Sequence, residues 1–136
     1  MEEALLSQWF DTNKTPYGLD FSEALLALAQ ARLPLYADHF FLGNAWDWLP
    51  PQRFDCVSTN LEYVPAALQV AYVQRLLRDF MVPRGTLLIG EYTSERDPLP
   101  TRTIDAKMVA MGFPVTTTRS GYLNGKELAR VVTIPS

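Results

Sequence analysis

Tyr17-Gly18-Leu19-Asp20-Phe21-Ser22 reads as a short apolar strand that ends in an aspartate and leads directly into a helix. In α/β nucleotide-binding folds, a carboxylate at the carboxyl end of an inner strand binds the two hydroxyls of a ribose. Asp20 is therefore a candidate ligand residue, with Phe21 beside it. Asp20 could also cap the helix that begins near Ser22, because aspartate and serine both accept hydrogen bonds from free helix N–H groups. The hexapeptide alone leaves both interpretations open.

The composition argues against several classes of protein. The chain has 136 residues, of which 48% are hydrophobic and 20% charged, so we expect residues 1–136 to form one domain. A formal net charge of −3 gives no general attraction to nucleic acid or to anionic membranes. No apolar stretch is long enough to span a bilayer, and Met1-Glu2-Glu3 is not a basic signal-peptide start. We expect a cytoplasmic protein, and the single cysteine, Cys56, fits a reducing compartment.

Strand and helix patterns alternate along most of the chain. The predicted helices are residues 3–11, 23–32, 65–80 and 104–111. The helix 23–32 would turn Leu25 and Leu28 towards a sheet. The helix 104–111 would be capped by Thr103 and ended by Gly112. The predicted strands are Tyr17–Asp20, His39–Leu42, Phe54–Thr59, Thr86–Tyr92, Val115–Thr118 and Leu128–Ile134. Phe54–Thr59 is apolar enough to be buried on both faces. The last two strands have no helix between them, and Asn124-Gly125 favours positive φ, so they predict an antiparallel hairpin.

This order of elements resembles the class I S-adenosylmethionine-dependent methyltransferases. Tyr17–Ser22 resembles the family's second strand with its ribose-binding acid, and Gly43-Asn44-Ala45-Trp46-Asp47 resembles the segment that holds the adenine. Phe54-Asp55-Cys56-Val57 resembles the fourth strand, and Pro83–Ile89 resembles the turn and fifth strand. The likeness covers residues 5 to 134. It implies an α/β fold with a doubly wound, Rossmann-like sheet, mostly parallel with an antiparallel carboxyl-terminal hairpin, and S-adenosylmethionine as cofactor.

The resemblance also implies a set of site residues. Its cofactor contacts would be Asp20, Phe21, Asn44, Ala45, Trp46 and Asn60, and its acceptor contacts would be Leu61, Glu62, Tyr63 and Tyr92. Simpler interpretations exist: Gly43-Asn44 is an ordinary turn pair, Trp46 could be a packing anchor, and Glu62 could be a solvated charge. Asn60-Leu61-Glu62-Tyr63 resembles the Asn-Pro-Pro-Tyr of amino-methylating nucleic-acid enzymes, but both prolines are missing, so that substrate is not carried over.

No catalytic residue and no metal ligand is assigned. Methyl transfer from a sulfonium needs chiefly positioning, so the absence of an obvious triad does not argue against it. The lone His39 has no cysteine or carboxylate pattern around it, so no metal site is predicted.

One part of the family's pattern is absent from this sequence. The family's first strand and its glycine-rich loop should precede residues 3–11, yet the first glycine is Gly18. That strand would lie between the strands at 17–20 and 54–59. The chain therefore looks like a methyltransferase domain without its first strand, either truncated or degenerate. Unpaired strand edges invite association, so we also expect a homodimer.

Three functions compete at this point. The leading hypothesis is a methyltransferase acting on a small molecule or another unidentified acceptor, with neither nucleic acid nor membrane as partner. The alternative is a non-catalytic remnant of the fold that acts as an oligomerisation or partner-binding module, which the missing glycine loop favours. A nicotinamide-dependent oxidoreductase also uses a strand-end acid. The absence of its own glycine motif and the antiparallel terminal hairpin count against it.

Overall fold

The computed structural model describes residues 15–20, 22–44, 46–62, 64–92 and 103–136. The predicted helix over residues 3–11 lies outside these residues, as do three predicted site residues, Phe21, Ala45 and Tyr63. The chain divides into two compact units, Met1–Leu49 and Pro50–Ser136, and each is described by itself below. That residues 1–136 form one domain stays a prediction.

The first unit contains a small parallel β-α-β arrangement. Strand β1 (Gly18–Asp20) pairs in parallel with β2 (Phe40–Leu42), and helix α1 (Glu23–Arg32) lies between them in the chain. A 3₁₀ turn, Pro34–His39, follows α1, as expected where a proline ends a helix. The pairing is close: a Cβ on Gly18 would lie 2.6 Å from Cδ1 of Phe40, so only glycine fits at the start of β1. Both strands and the helix match the predicted elements.

Helix α1 is more exposed than its sequence predicts. None of its residues is buried, and Leu25, predicted to face the sheet, is 55% exposed. Leu28 is likewise largely exposed. The reason is the size of the sheet, since two strands of three residues offer too little surface to cover a ten-residue helix.

The second unit contains a four-stranded mixed sheet. Its strands are β3 (Phe54–Asn60), β4 (Met81–Tyr92), β5 (Thr117–Leu123) and β6 (Lys126–Pro135), in the spatial order β3-β4-β6-β5. The pair β3–β4 is parallel, whereas β4–β6 and β5–β6 are antiparallel. Together the described strands of both units make two parallel and two antiparallel pairings, so the pairing is mixed rather than mostly parallel.

The predicted terminal hairpin is confirmed. Strands β5 and β6 pair antiparallel, and Asn124 and Gly125 in the connecting turn have φ values of 52° and 78°. Positive φ at both central residues is the type I′ arrangement that matches the natural twist of a hairpin. Because β6 inserts between β4 and β5, the hairpin completes the sheet instead of projecting from it.

Strand β5 is Thr117–Leu123 rather than the predicted Val115–Thr118, so the two strands of the hairpin meet at a shorter turn than expected. Two further strands differ from their predictions. No residue of β3 is buried, although the sequence predicts burial on both faces, because β3 lies at the edge of the sheet within the described residues. Strand β4 begins at Met81, not Thr86, and the predicted turn at Pro83-Arg84-Gly85 is a bulge inside it. Arg84 has a φ of 67° there. The bulge absorbs the turn residues without ending the strand.

Two helices cover one face of this sheet. Helix α2 (Gln69–Arg75) continues into a wider turn, Leu76–Phe80, and α3 is Ile104–Ala110. Tyr72 of α2 hydrogen-bonds Thr59 of β3 through the two hydroxyls, which lie 2.7 Å apart. The most deeply buried side chains of this core are Val73, Leu76, Met81, Leu87, Ile89, Met108, Val132 and Ile134. No helix in the described part of the chain has the length and apolar character needed to cross a bilayer.

The amino terminus of helix α3 is capped by a carboxylate from the sheet. Glu91 Oε1 accepts hydrogen bonds from the backbone N–H groups of Thr103 and Ile104, at 3.1 and 3.2 Å. Thr103, the predicted cap, makes no side-chain capping bond. The predicted end of the helix is confirmed, because Gly112 has a φ of 92° and the N–H of Phe113 bonds the carbonyl of Met108.

Replacing Glu91 by alanine should lower the free energy of unfolding by about 1–2 kcal/mol, because two helix N–H groups lose their acceptor and the helix dipole loses a negative charge. Glu91→Gln keeps an oxygen acceptor and should lose less. Thr103→Ala is the matched control, since its hydroxyl caps nothing, and it should change stability little. Urea denaturation followed by circular dichroism measures all three. A larger loss for Thr103→Ala than for Glu91→Ala would contradict this assignment of the cap.

Candidate functional site

Asp20 lies at the carboxyl end of β1, and one of its two carboxylate oxygens is hydrogen-bonded within the protein. Oδ1 accepts a hydrogen bond of 2.8 Å from the N–H of Ser22. The hydroxyl of Ser22, in turn, accepts from the N–H of Leu25 and is the cap of α1. Asp20 therefore shapes the turn before the helix while Ser22 does the capping. Oδ2 of Asp20 has no hydrogen-bond partner among the described residues, so this carboxylate retains the capacity to bind a ligand hydroxyl.

Asn44 and Trp46 form a turn after β2. Asn44 Oδ1 accepts from the N–H groups of Trp46 and Asp47, at 3.0 and 3.2 Å, so the side-chain oxygen is used locally. The ring of Trp48 packs against Phe41, with centroids 5.2 Å apart. Trp46, by contrast, is 45% exposed. Of the two tryptophans, Trp48 is the packing anchor and Trp46 is the ring open to a flat ligand.

The residues after β3 form a second turn with a buried anchor. Asn60 Oδ1 accepts from the N–H of Glu62 at 3.1 Å. Leu61 is only 5% exposed, so its side chain anchors the turn, and Asn60 and Glu62 are the neighbours that face outwards. Gln69, at the start of α2, donates from Nε2 to the carbonyls of Leu61 and Val64 at 3.3 and 2.9 Å. These two hydrogen bonds fix the turn, and no local pattern in the sequence predicts them.

Tyr92 folds back over Gly90 at the end of β4. A Cβ on Gly90 would lie 2.5 Å from both Cε2 and Cζ of the Tyr92 ring, so any larger residue at position 90 would displace the phenol. Tyr92 is 51% exposed, and its partial burial raises the pKa of the phenol above its usual value. Gly90 pairs with Asn60 across β3 and β4. Tyr92 and Asn60, both predicted from sequence, are therefore neighbours.

His39 has a packing role in the first unit. Its ring stacks on Tyr17 with centroids 4.3 Å apart and planes within 3° of parallel. Nδ1 lies 3.2 Å from the carbonyl of Pro16. Among the described residues, no group of three or more histidine, cysteine, aspartate or glutamate side chains is placed to hold a metal ion.

The predicted site residues divide between the two units. Asp20, Asn44 and Trp46 belong to the first unit, and Asn60, Leu61, Glu62 and Tyr92 belong to the second. Within each unit the polar groups lie at or just after the carboxyl ends of parallel strands. In open α/β sheets, that edge is where ligands bind.

Comparison with known proteins supports this arrangement at the level of the fold. No family model matches the sequence, and no curated protein matches it. Among solved structures, the glycopeptide N-methyltransferase MtfA is similar with a TM-score of 0.62 and 16% identity, over 85% of this chain and 76% of that one. A SAM-dependent methyltransferase from Aquifex aeolicus is similar with a TM-score of 0.63 and 15% identity, over 97% of this chain and 74% of that one.

A third similar structure is the magnesium protoporphyrin IX methyltransferase ChlM from Synechocystis PCC 6803, with bound SAM. It has a TM-score of 0.58 and 17% identity, over 88% of this chain and 58% of that one. MtfA has been solved with S-adenosylmethionine and with S-adenosylhomocysteine, so S-adenosylmethionine is the cofactor of this fold. The chain thus has the class I fold of the S-adenosylmethionine-dependent methyltransferases.

Proposed function

We propose that this chain is an S-adenosylmethionine-dependent methyltransferase that acts on an acceptor not yet identified. The observation that carries the proposal is the carboxylate of Asp20. It lies at the carboxyl end of a parallel strand, directly before a helix, with Oδ2 unengaged among the described residues. That placement suits the two adjacent hydroxyls of a ribose. The same fold in solved methyltransferases supports the choice of cofactor.

The residues present fit the nucleoside end of this cofactor. Asp20 would accept hydrogen bonds from the ribose hydroxyls, and the exposed ring of Trp46 would cover the adenine. The Asn44 oxygen is committed to its own turn, so its amide nitrogen is the group left for a ligand. Phe21 and Ala45, both outside the described residues, remain predicted contacts.

The bound sulfonium would supply an electrophilic methyl group. The contribution of this chain's residues is to bind and orient two reactants, which is the main requirement of such a transfer. Asn60, which the resemblance gives as a cofactor contact, lies at a strand end beside Tyr92. There it would also face the acceptor, together with Tyr92, Glu62 and Tyr63. The buried Leu61 would support this turn from beneath.

The 136-residue chain should bind the cofactor weakly. The sequence has no glycine before Gly18, hence no glycine-rich loop there to bring backbone N–H groups to the methionine end. Each lost hydrogen bond of about 1 kcal/mol weakens binding about fivefold, so several together take a micromolar affinity towards millimolar.

Calorimetric titration of S-adenosylmethionine into the 136-residue protein tests the proposal. We expect a saturable signal with a dissociation constant approaching millimolar, and a similar one for S-adenosylhomocysteine, because the nucleoside end is common to both. Methionine alone should give none. The absence of a saturable signal at millimolar S-adenosylmethionine would overturn the proposal, and a micromolar constant would contradict the expectation of weak binding.

A non-catalytic remnant of the fold that associates with a partner is the second candidate, and the observation that favours it is an open strand edge. Within its sheet, β3 pairs on one side only among the described residues, which leaves an edge for association. Light scattering on the same sample separates the candidates. A stable homodimer that shows no saturable binding of S-adenosylmethionine would favour the remnant, whereas binding by a monomer would favour the enzyme.

A further inference from the structure

A row of four residues crosses one face of the second unit's sheet. Asn60 of β3 pairs with Gly90 of β4, Gly90 pairs with Val131 of β6, and Val131 pairs with Arg119 of β5. Residues that pair directly across strands point to the same face, so all four lie on one side. With strands about 4.8 Å apart, the row spans about 14 Å, which is the length of a small organic molecule.

Tyr92 adds a hydroxyl to the middle of this row. Tyr92 is two residues beyond Gly90 and shares its face, and the tip of its ring lies over Gly90. The hydroxyl is thereby held between Asn60 on one side and Val131 on the other. Like any tyrosine at physiological pH, this phenol keeps its proton and can donate a hydrogen bond.

The amide of Asn60 is oriented for donation. Its Oδ1 accepts from the N–H of Glu62, and only the oxygen of an amide can accept, so the NH₂ group points away from that turn. No partner for Nδ2 occurs among the described residues. The row therefore presents two neutral donors, Asn60 and Tyr92, on adjacent strands.

Arg119 supplies a positive charge at the other end of the row. It is exposed, and within the described part of the chain no carboxylate is paired with it. The acidic side chains nearby on the sheet are engaged elsewhere: Glu91 caps α3, and Glu127 pairs with Arg130. Glu62 is exposed just beyond the end of β3.

We propose that Asn60, Tyr92 and Arg119 form a subsite for a carboxylate carried by the methyl acceptor. Two neutral donors can bind one oxygen each, and an arginine can bind a carboxylate with paired N–H groups. The donors stand on paired strands, so their spacing is fixed before the ligand arrives. That the carboxylate belongs to the methyl acceptor rests on the proposed function, but binding at the subsite itself needs no cofactor.

Three ring compounds of similar size and different charge test the subsite: benzoate, benzamide and benzylammonium. Each is titrated at constant ionic strength into ¹⁵N-labelled protein, and the side-chain amide of Asn60 and the backbone amides of Gly90 and Val131 are followed by NMR. We expect benzoate to shift these signals and to bind about fivefold more tightly than benzamide, the effect of one exposed ion pair. Benzylammonium should bind least.

Variants identify the groups responsible. Arg119→Met should remove the preference for benzoate over benzamide, and Arg119→Lys should keep part of it. Tyr92→Phe should weaken both ligands. Lys126→Met is the matched control, because it removes one exposed positive charge from the same hairpin and should leave the preference unchanged.

Three results would overturn the subsite. They are equal binding of benzoate and benzamide, an equal loss of preference in Lys126→Met and Arg119→Met, and an absence of shifts at Asn60 and Gly90. Matching spectra of variants and wild type establish that each variant is folded. The cofactor titration is independent of this experiment, so a failure of cofactor binding with benzoate binding intact would overturn the proposed function and leave the subsite standing.

Discussion

Replacing Asp20 by alanine is expected to abolish measurable binding of S-adenosylmethionine. A hydrogen bond to a charged acceptor is worth about 1.5–3 kcal/mol, so losing even one such bond to the ribose would weaken binding by a factor of about 10 to 150. Since the affinity of the wild-type protein is itself expected to approach millimolar, the variant should give no saturable heat. Isothermal titration calorimetry on both proteins at the same concentration is the measurement.

Two further variants separate binding from local structure. Asp20→Asn keeps an oxygen for the N–H of Ser22 but loses the charge, so it should preserve the turn and still lose most of the affinity. Ser22→Ala removes the helix cap and should lower stability by about 1 kcal/mol while leaving cofactor affinity largely intact. Equal affinity in wild type and Asp20→Ala would return Asp20 to the turn alone.

Leu87→Ala should cause the largest loss of stability considered for this chain. Leu87 has no exposed surface, it pairs with the equally buried Ile134 of β6, and it belongs to the same core as Ile89 of β4. Truncation of a fully buried leucine costs about 2–5 kcal/mol, because transfer free energy is lost and a cavity remains. That is a large fraction of the stability of a small domain.

Leu123→Ala is the matched control for this substitution. It removes the same atoms from the same sheet, at a side chain that is 46% exposed, and should cost less than about 1 kcal/mol. Urea denaturation followed by circular dichroism gives both values. Equal losses in the two variants would show that Leu87 is not enclosed as described.

Local signals in the sequence predicted the elements that depend on a few neighbouring residues. Ser22 and Pro34 bracket α1, and Glu23–Arg32 is found as predicted. Asn124-Gly125 requires positive φ at two consecutive positions, which almost dictates a hairpin. Gly112 likewise fixes the end of α3. In each case the conformation is a property of the residues themselves.

Contacts between distant parts of the chain could not be predicted in this way. The cap of α3 comes from Glu91, twelve positions before Thr103 in the sequence, so a search for a capping residue next to the helix finds the wrong one. The exposure of β3 depends on which strands lie beside it, which its apolar sequence does not encode. The contact of Tyr92 with Gly90 needs a side-chain rotamer that only the folded sheet selects.

The insertion of β6 between β4 and β5 has a consequence for how the second unit folds. Leu123 and Lys126 pair across a two-residue turn, so the hairpin can close on the scale of about 1–10 μs without help from the rest of the chain. Docking of β6 on β4 joins residues as distant as Thr86 and Pro135, and it carries a much larger loop-closure cost. The β5–β6 hairpin is therefore expected to form first. The pairing of β6 with β4 is expected to be the slower step, and it should set the folding rate of the second unit.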